Sequence, residues 1–294
     1  MVGHGKSDAL NPVFQRLRKS FHETLVGTVL TRDGKGVVSI ADKDNRTSVA
    51  ISKKLLARIG GSREADKVAG QTAGDSFESA CASFLEAAFG RLGDLRPGRW
   101  RVFKVAGRRK NAIADYEQYE HLADLESAIS ANHELATALG NDYAIAPDIV
   151  VTREPEPDES INSSECIVDD GVCTRAPLRA AVNSLPLIHA SVSCKWTLRS
   201  DRAQNARSEA LNLIRNRKGR CPHIAVVTAE PTPSRLSSLA LGTGDLDCVY
   251  HFALDELIAS VEEVCEDDTA RLLRMMIEGK RLKDIADLPL DLAI

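Results

Sequence analysis

IHASVSCKWTLRSDRAQNARSE, residues 188–209, changes its hydrophobic period halfway along. In its first part Ile188, Ala190, Val192, Cys194 and Trp196 alternate with His189, Ser191, Ser193 and Lys195, the period of a strand with one apolar and one polar face. After Thr197 and Leu198 the period lengthens. Ala203, Ala206, Ala210, Leu213 and Ile214 recur at helical spacing until Gly219 offers a C-terminal stop. Strand therefore turns into helix at Arg199, Ser200, Asp201 and Arg202. Lys195 shares a face with Ser193, while Arg202 and Glu209 lie seven residues apart, two turns along one helix face. A sheet lysine, a helix carboxylate and an Arg/Asp cluster can converge on one ligand.

The flanking chain reads as alternating helices and strands. Val13, Leu17, Phe21 and Leu25 predict a helix over 12–26, and the turn-rich, polar residues 28–50, with Asp33-Gly34 and Asp44-Asn45, read as a surface arm. Gly60-Gly61 and Gly70 punctuate a short helical piece. A strong helix follows over 75–92, where Asp75 with Glu78 three residues later forms a capping-box pattern that supplies a purely structural reason for Glu78. Residues 100–105 predict a strand, 116–139 a helix, and 142–152 a strand whose Pro147 puts its true start near Asp148. Residues 153–182 are an excursion without a periodic apolar face. Strands over 221–230 and 245–252 and a long helix over 255–281 complete the pattern. Alternation of this kind predicts an α/β fold with a mixed sheet, and in the absence of an internal repeat or a linker we expect one domain over 1–294.

Composition narrows the class. The chain of 294 residues is 43% hydrophobic, enough for a substantial core, and contains no apolar run of 18 residues, so no membrane partner is expected. The start, MVGHGKSDAL, lacks the apolar segment of a signal peptide, which predicts a cytoplasmic protein. Seven cysteines, odd in number and without a C-x-x-C pair, predict reduced thiols and no structural zinc. A net charge of −4 argues against nucleic acid until its distribution is seen. Residues 96–110 hold seven basic residues and no acid, and 199–220 hold seven basic against two acidic, whereas 153–170 concentrate seven carboxylates with one arginine. Either basic run alone reads as a solvated face. Two of them around one candidate site favour a polyanion.

Hydrolysis of a phosphodiester needs divalent metal held by carboxylates and a lysine near the attacking water and the phosphoryl oxygens. Asp148 at a strand start, Lys195 on a second strand and Glu209 on the following helix answer that need. Each residue alone is more often a solvated side chain; their joint pattern, Pro147-Asp148, then Ser193-x-Lys195, then thirteen residues, then Glu209, is specific. On these residues the chain resembles the CCGG-specific branch of the PD-(D/E)xK restriction endonucleases, over nearly its whole length. Ser193 stands where the parent motif has an acid, and the acid comes instead from the helix as Glu209, a departure the branch shares. Arg199-Ser200-Asp201-Arg202 matches the Arg-x-Asp-Arg with which such enzymes read CCGG. Arginine can donate two hydrogen bonds to guanine O6 and N7, and aspartate can accept from cytosine N4, so one Asp between two Arg suits that core. Taken alone, Asp201 also suits a helix N-terminus with no DNA near it.

The resemblance implies more. The fold would be a restriction-endonuclease-like core, a mixed β-sheet flanked by helices. Asp148 and Glu209, with the Cys194 backbone carbonyl, would hold Mg²⁺, two ions per site. Glu78 would steer a water on the metal and so stand among its ligands' neighbours, and Ser193 would hydrogen-bond within the site. Asp42, Gln71 and Arg235 fall where such enzymes contact the outer base pair and the minor groove. The activity would be cleavage of both strands of double-stranded DNA at a CCGG-containing palindrome, GCCGGC cut after its first G, leaving a 5′-phosphate. A homotetramer built as a dimer of dimers, a bacterial cytoplasmic setting and a methyltransferase encoded alongside complete the implied picture. Two alternatives stay open: a nuclease of repair or recombination that reads structure, and a DNA-binding module without catalysis. Asp148, Lys195 and Glu209 count against the second, since acids beside phosphates repel the backbone.

Overall fold

The structure, a computed structural model, describes residues 11–61, 63–64, 70–105, 112–132, 134, 137, 145–198, 200–242 and 244–294, without the side chains of 63, 64 and 200–202. Helix α1 (Val13–Thr28) leads to β1 (Thr31–Arg32), α2 (Arg46–Ile59), β2 (Arg63–Glu64) and α3 (Gly70–Phe89). Next come β3 (Trp100–Lys104), two 3₁₀ turns, α4 (His121–Ala131), β4 (Ile149–Arg153) and the short α5 (Asp158–Ile161). The second half runs β5 (Leu187–Lys195), α6 (Ser200–Asn216), β6 (His223–Thr228), α7 (Pro233–Ala240), β7 (Cys248–His251), α8 (Leu254–Val264), α9 (Asp267–Glu278), β8 (Leu282–Asp284) and α10 (Leu288–Asp291).

Six strands form one mixed sheet in chain order, β3 to β8. The first three are antiparallel and the rest parallel. Parallel neighbours need a crossover, and α6, α7 and the pair α8–α9 supply it. β5 is paired on both edges, and its polar side is not a wet one: His189, Ser191 and Ser193 are 7%, 4% and 8% exposed. Helix α3 packs on β3 and β5, with Phe77 against Trp196 at 5.1 Å between ring centres. α1 packs on α3, α2 on α8, and α7 on α9. The mixed sheet flanked by helices is the fold expected from the period change at 197–203, and α6 ends at Asn216 just before Gly219 turns the chain at φ 73°.

Several expectations need correction. Residues 28–50 are not a surface arm, because Val38, Ile40 and Ala41 are buried and Ser39 closes a turn back on Val29 and Thr31. α3 begins at Gly70, so Asp75 lies inside the helix and caps nothing; small residues Gly74, Ala73 and Thr72 carry the helix across a stretch that lacks an apolar stripe. The predicted helix over 116–139 is a 3₁₀ turn plus α4 in its described part, since Tyr116 and Tyr119 are buried by a turn rather than by a helix face. The helix over 255–281 is two helices broken at Cys265 and Glu266, where Asp267 and Asp268 open a new N-terminus. Residues 106–110 of the first basic run and 142–144 of the predicted strand lie outside the described residues.

A three-element ion cluster ties the first helix to the last strand. Arg18 of α1 donates to both oxygens of Asp284 at 2.9 and 2.8 Å and to both of Glu256 at 2.8 and 2.5 Å. Asp284 also accepts the N–H groups of Leu254 and Ala286. Burial alone would raise both carboxyls; the Arg18 guanidinium outweighs it and holds both below the usual range. Depressed carboxyls stabilise the fold above their unfolded pKa, and that contribution is lost as pH falls through the folded values. Arg18→Met should therefore lower the unfolding free energy by about 3 kcal/mol at pH 7. In urea titrations the deficit should shrink toward pH 3, and a deficit independent of pH would contradict the assignment.

Candidate active site

Strand register builds the site. Ile149 of β4 pairs with Val192 of β5, so Asp148, one residue before β4, comes to rest beside Ser193 and Cys194. Its Oδ2 accepts the Cys194 backbone N–H at 2.7 Å, lies 3.3 Å from Ser193 Oγ, and takes an ion pair from Lys195 Nζ at 3.2 Å. Glu209 arrives from α6, whose Ala206, Ala210 and Leu213 are buried and fix the phase of the helix. Its Oε2 lies 3.1 Å from Ser193 Oγ and 3.7 Å from Lys195 Nζ. One hydroxyl has one proton, so Ser193 donates to Asp148 or to Glu209 and not to both. The two carboxylates thus converge on the same serine and the same lysine.

Glu78 reaches the rim from α3. Lys104 of β3, which pairs with Ile149, holds Glu78 Oε2 at 3.5 Å and Asp75 Oδ1 at 2.5 Å. Burial, then the nearby Asp148 charge, pushes the Glu78 carboxyl above its usual range. Burial raises Glu209 as well, partly offset by Lys195. For Lys195 burial acts downward, but Asp148 and Glu209 overcome it and the ammonium is held more firmly than usual. The Cys194 thiol is fully buried and pushed well above its usual range, so only its backbone is available for chemistry.

Among the described residues no group of three or more His, Cys, Asp and Glu side chains gathers as a ready-made metal cage. Two converging carboxylates with a hydroxyl between them form an oxygen-only set, the kind a hard divalent cation accepts while completing its shell with water and phosphate oxygens. This donor set fits Mg²⁺ and does not fit a thiolate-seeking metal.

The expected DNA contacts divide. Asp42 and Arg235 come together as an ion pair, although 193 residues separate them in sequence. They line a groove of about 1170 Å³ together with Leu198, Gln204 and Arg207, which places it along α6. Gln71 is exposed in the first turn of α3, two turns before Glu78. Arg199 lies outside the described residues, as do the side chains of Asp201 and Arg202, although the backbone of the latter two is in the first turn of α6.

Two participants escaped the sequence reading. Lys104 was visible only as one of seven basic residues; its role follows from an antiparallel register that spacing does not reveal. Glu230 is 0% exposed at the end of β6 and takes the Leu198 N–H at 2.9 Å and the Thr232 N–H at 3.1 Å. An acid closing the apolar run IAVVTA was its available signal.

Comparison with known proteins is consistent over the full chain. A family model described as NgoMIV restriction enzyme matches residues 21–294. The type II restriction enzyme NgoMIV of Neisseria gonorrhoeae is 52% identical over 286 residues, spanning 97% of this chain and 100% of that protein. Among solved structures, Bse634I restriction endonuclease aligns with a TM-score of 0.37 and 13% identity over 73% of this chain and 86% of its own. A PspGI restriction endonuclease–substrate DNA complex aligns with a TM-score of 0.25 and 12% identity over 99% and 96%.

Lys195→Met should move the Glu209 carboxyl further upward, because it removes the cation that pulls it down. A carboxyl raised in the folded state adds stability at low pH that is lost as pH rises through its folded value. The variant should accordingly lose more stability at pH 8 than at pH 5. Carbon-13 NMR titration of the glutamate carboxyls reads the shift directly, and an unmoved Glu209 would refute the coupling.

Proposed function

The chain belongs to the NgoMIV restriction enzyme family and is a type II restriction endonuclease; we propose that it is Mg²⁺-dependent and cuts both strands at GCCGGC after the first G. The observation that carries the chemistry is the convergence of Asp148 and Glu209 on Ser193 Oγ and Lys195 Nζ, at the point where β5 gives way to Arg199-Ser200-Asp201-Arg202.

In this reading Asp148, Glu209 and the Cys194 backbone carbonyl would hold Mg²⁺, and Glu78, at the rim of that set, would help orient water. Bound there, the ions supply positive charge to the phosphoryl oxygens as negative charge builds in the transition state. Lys195, kept protonated by its two carboxylates, acts as a hydrogen-bond donor to the phosphoryl oxygens and the attacking water rather than as a base. Ser193 orients whichever carboxylate receives its proton. The water oxygen forms a bond to phosphorus as the bond to the 3′ oxygen breaks in line with it; the water gives a proton to solvent, the 3′ oxygen takes one from solvent and leaves as a hydroxyl, and the phosphate stays on the 5′ end. Arg199, Asp201 and Arg202 read the CCGG core, Asp42 and Arg235 the outer pair, and Gln71 the minor groove.

We further propose that the enzyme assembles as a tetramer, a dimer of dimers, with the 153–182 excursion at the contact. That excursion carries exposed Ile167, Val172 and Val182 and is held in shape by Arg179, which is 3% exposed and bonds Asp158 and the carbonyls of Val172 and Cys173. Among the described residues no helix is long and apolar enough to cross a membrane. A bacterial cytoplasmic setting and a methyltransferase that protects host sites belong to the same proposal.

Digestion of a plasmid with two GCCGGC sites and several other NCCGGN sites tests it. In Mg²⁺, fragments should end only at GCCGGC, and Lys195→Ala should slow cleavage by about 10³-fold, the scale for losing one preorganised donor at a developing charge. Cutting at sites lacking CCGG would overturn the specificity assignment.

A further inference from the structure

We infer that Glu230 is a positioning residue that sets discrimination at the outer base pair, by locking Arg235 to the backbone that opens the core-reading helix. The inference rests on the reading of Arg235 and Asp42 proposed above. Its observations are independent of that reading.

Glu230 follows β6 and is wholly enclosed. Its own N–H bonds Thr228 Oγ1 at 3.2 Å, and Thr228 is the strand residue paired with Lys195. One carboxylate oxygen accepts Leu198 N–H at 2.9 Å, two residues before α6 begins; the other accepts Thr232 N–H at 3.1 Å, immediately before α7. Arg235, in the first turn of α7, sets Nη1 at 3.9 Å from the same carboxylate while its Nη2 bonds Asp42. A single buried carboxyl group therefore spans the starts of two helices and faces the guanidinium that joins them to Asp42.

Two backbone N–H groups do not require a charge. A neutral acceptor would satisfy either of them, and an enclosed carboxylate is costly unless it faces a cation. Among the described residues the cation facing it is Arg235, whose planar fork reads a guanine only when its rotation is fixed. With Glu230 behind Nη1 and Asp42 on Nη2, the fork has one orientation, referenced to Leu198 and so to the residues that follow it.

The test measures dissociation constants for GCCGGC and ACCGGT duplexes by gel shift in Ca²⁺. Glu230→Gln should reduce the ratio of the two constants tenfold or more, and in an Arg235→Ala background the same change should alter the ratio less than twofold. Glu230→Asp, which keeps the charge and cannot span both loops, should also lower the ratio. A Glu230→Gln protein that weakens both duplexes equally overturns the inference, as does failure of both variants to fold, which would assign Glu230 to the fold alone. A wild-type protein that does not distinguish the duplexes overturns the outer-pair reading itself and this inference with it.

Discussion

The bond from the Cys194 N–H to Asp148 Oδ2 at 2.7 Å is the contact on which the site depends. It joins the start of an antiparallel strand to the end of the strand beside it, so the Asp148 carboxylate is fixed by backbone rather than by a flexible partner. Everything else in the site is measured from that point. Lys195 follows one residue later on β5, Ser193 one residue earlier, and Glu209 is delivered by the helix that β5 runs into. Because β5 is buried on both faces, neither strand can shift register without moving its side chains to the opposite face.

Charge in the site is balanced by position. Asp148, Glu209 and Glu78 face Lys195 and Lys104, an excess of negative charge in a half-enclosed space. Burial raises two of the acids and the acids hold the lysine protonated, the shifts expected where like charges are gathered around an ammonium. The Arg18 cluster uses similar groups to the opposite end. There one guanidinium bonds both oxygens of two carboxylates, holds both below their usual range, and joins α1 to β8 and α8.

Much of this was legible in the chain. The period change after Thr197 and Leu198 marked β5 and α6, and the joint pattern Pro147-Asp148, Ser193-x-Lys195 and Glu209, with the resemblance it carries, grouped both acids with one lysine. What sequence could not supply was register. Lys104 joins the site through its pairing with Ile149, and Glu230 through a loop contact with Leu198, neither of which leaves a periodic trace. Helix starts were misjudged where small residues carry the chain: α3 begins five residues before Asp75, so the capping-box account of Glu78 falls and its bond to Lys104 takes its place. The buried Val38 and Ile40 were hidden among turn residues, because they lie outside any strand and a single isolated bridge, Arg32 with Val38, leaves no alternation to read.

Lys195 and the start of α6 sit on one uninterrupted strand-to-helix unit, only five residues apart, whereas Arg235 is carried by the next unit along the sheet. This division sets how such an enzyme can diverge. A substitution that reshapes the inner readout displaces the backbone bearing the lysine, and selection for cutting opposes it. Arg235 sits on a separate helix, tied to the first through Glu230 and through the bond from Arg207 to the Ser238 carbonyl. On the proposed reading, descendants of this chain acquire new flanking preferences more readily than a new centre, and lineages branch at the edges of their target sooner than at its middle.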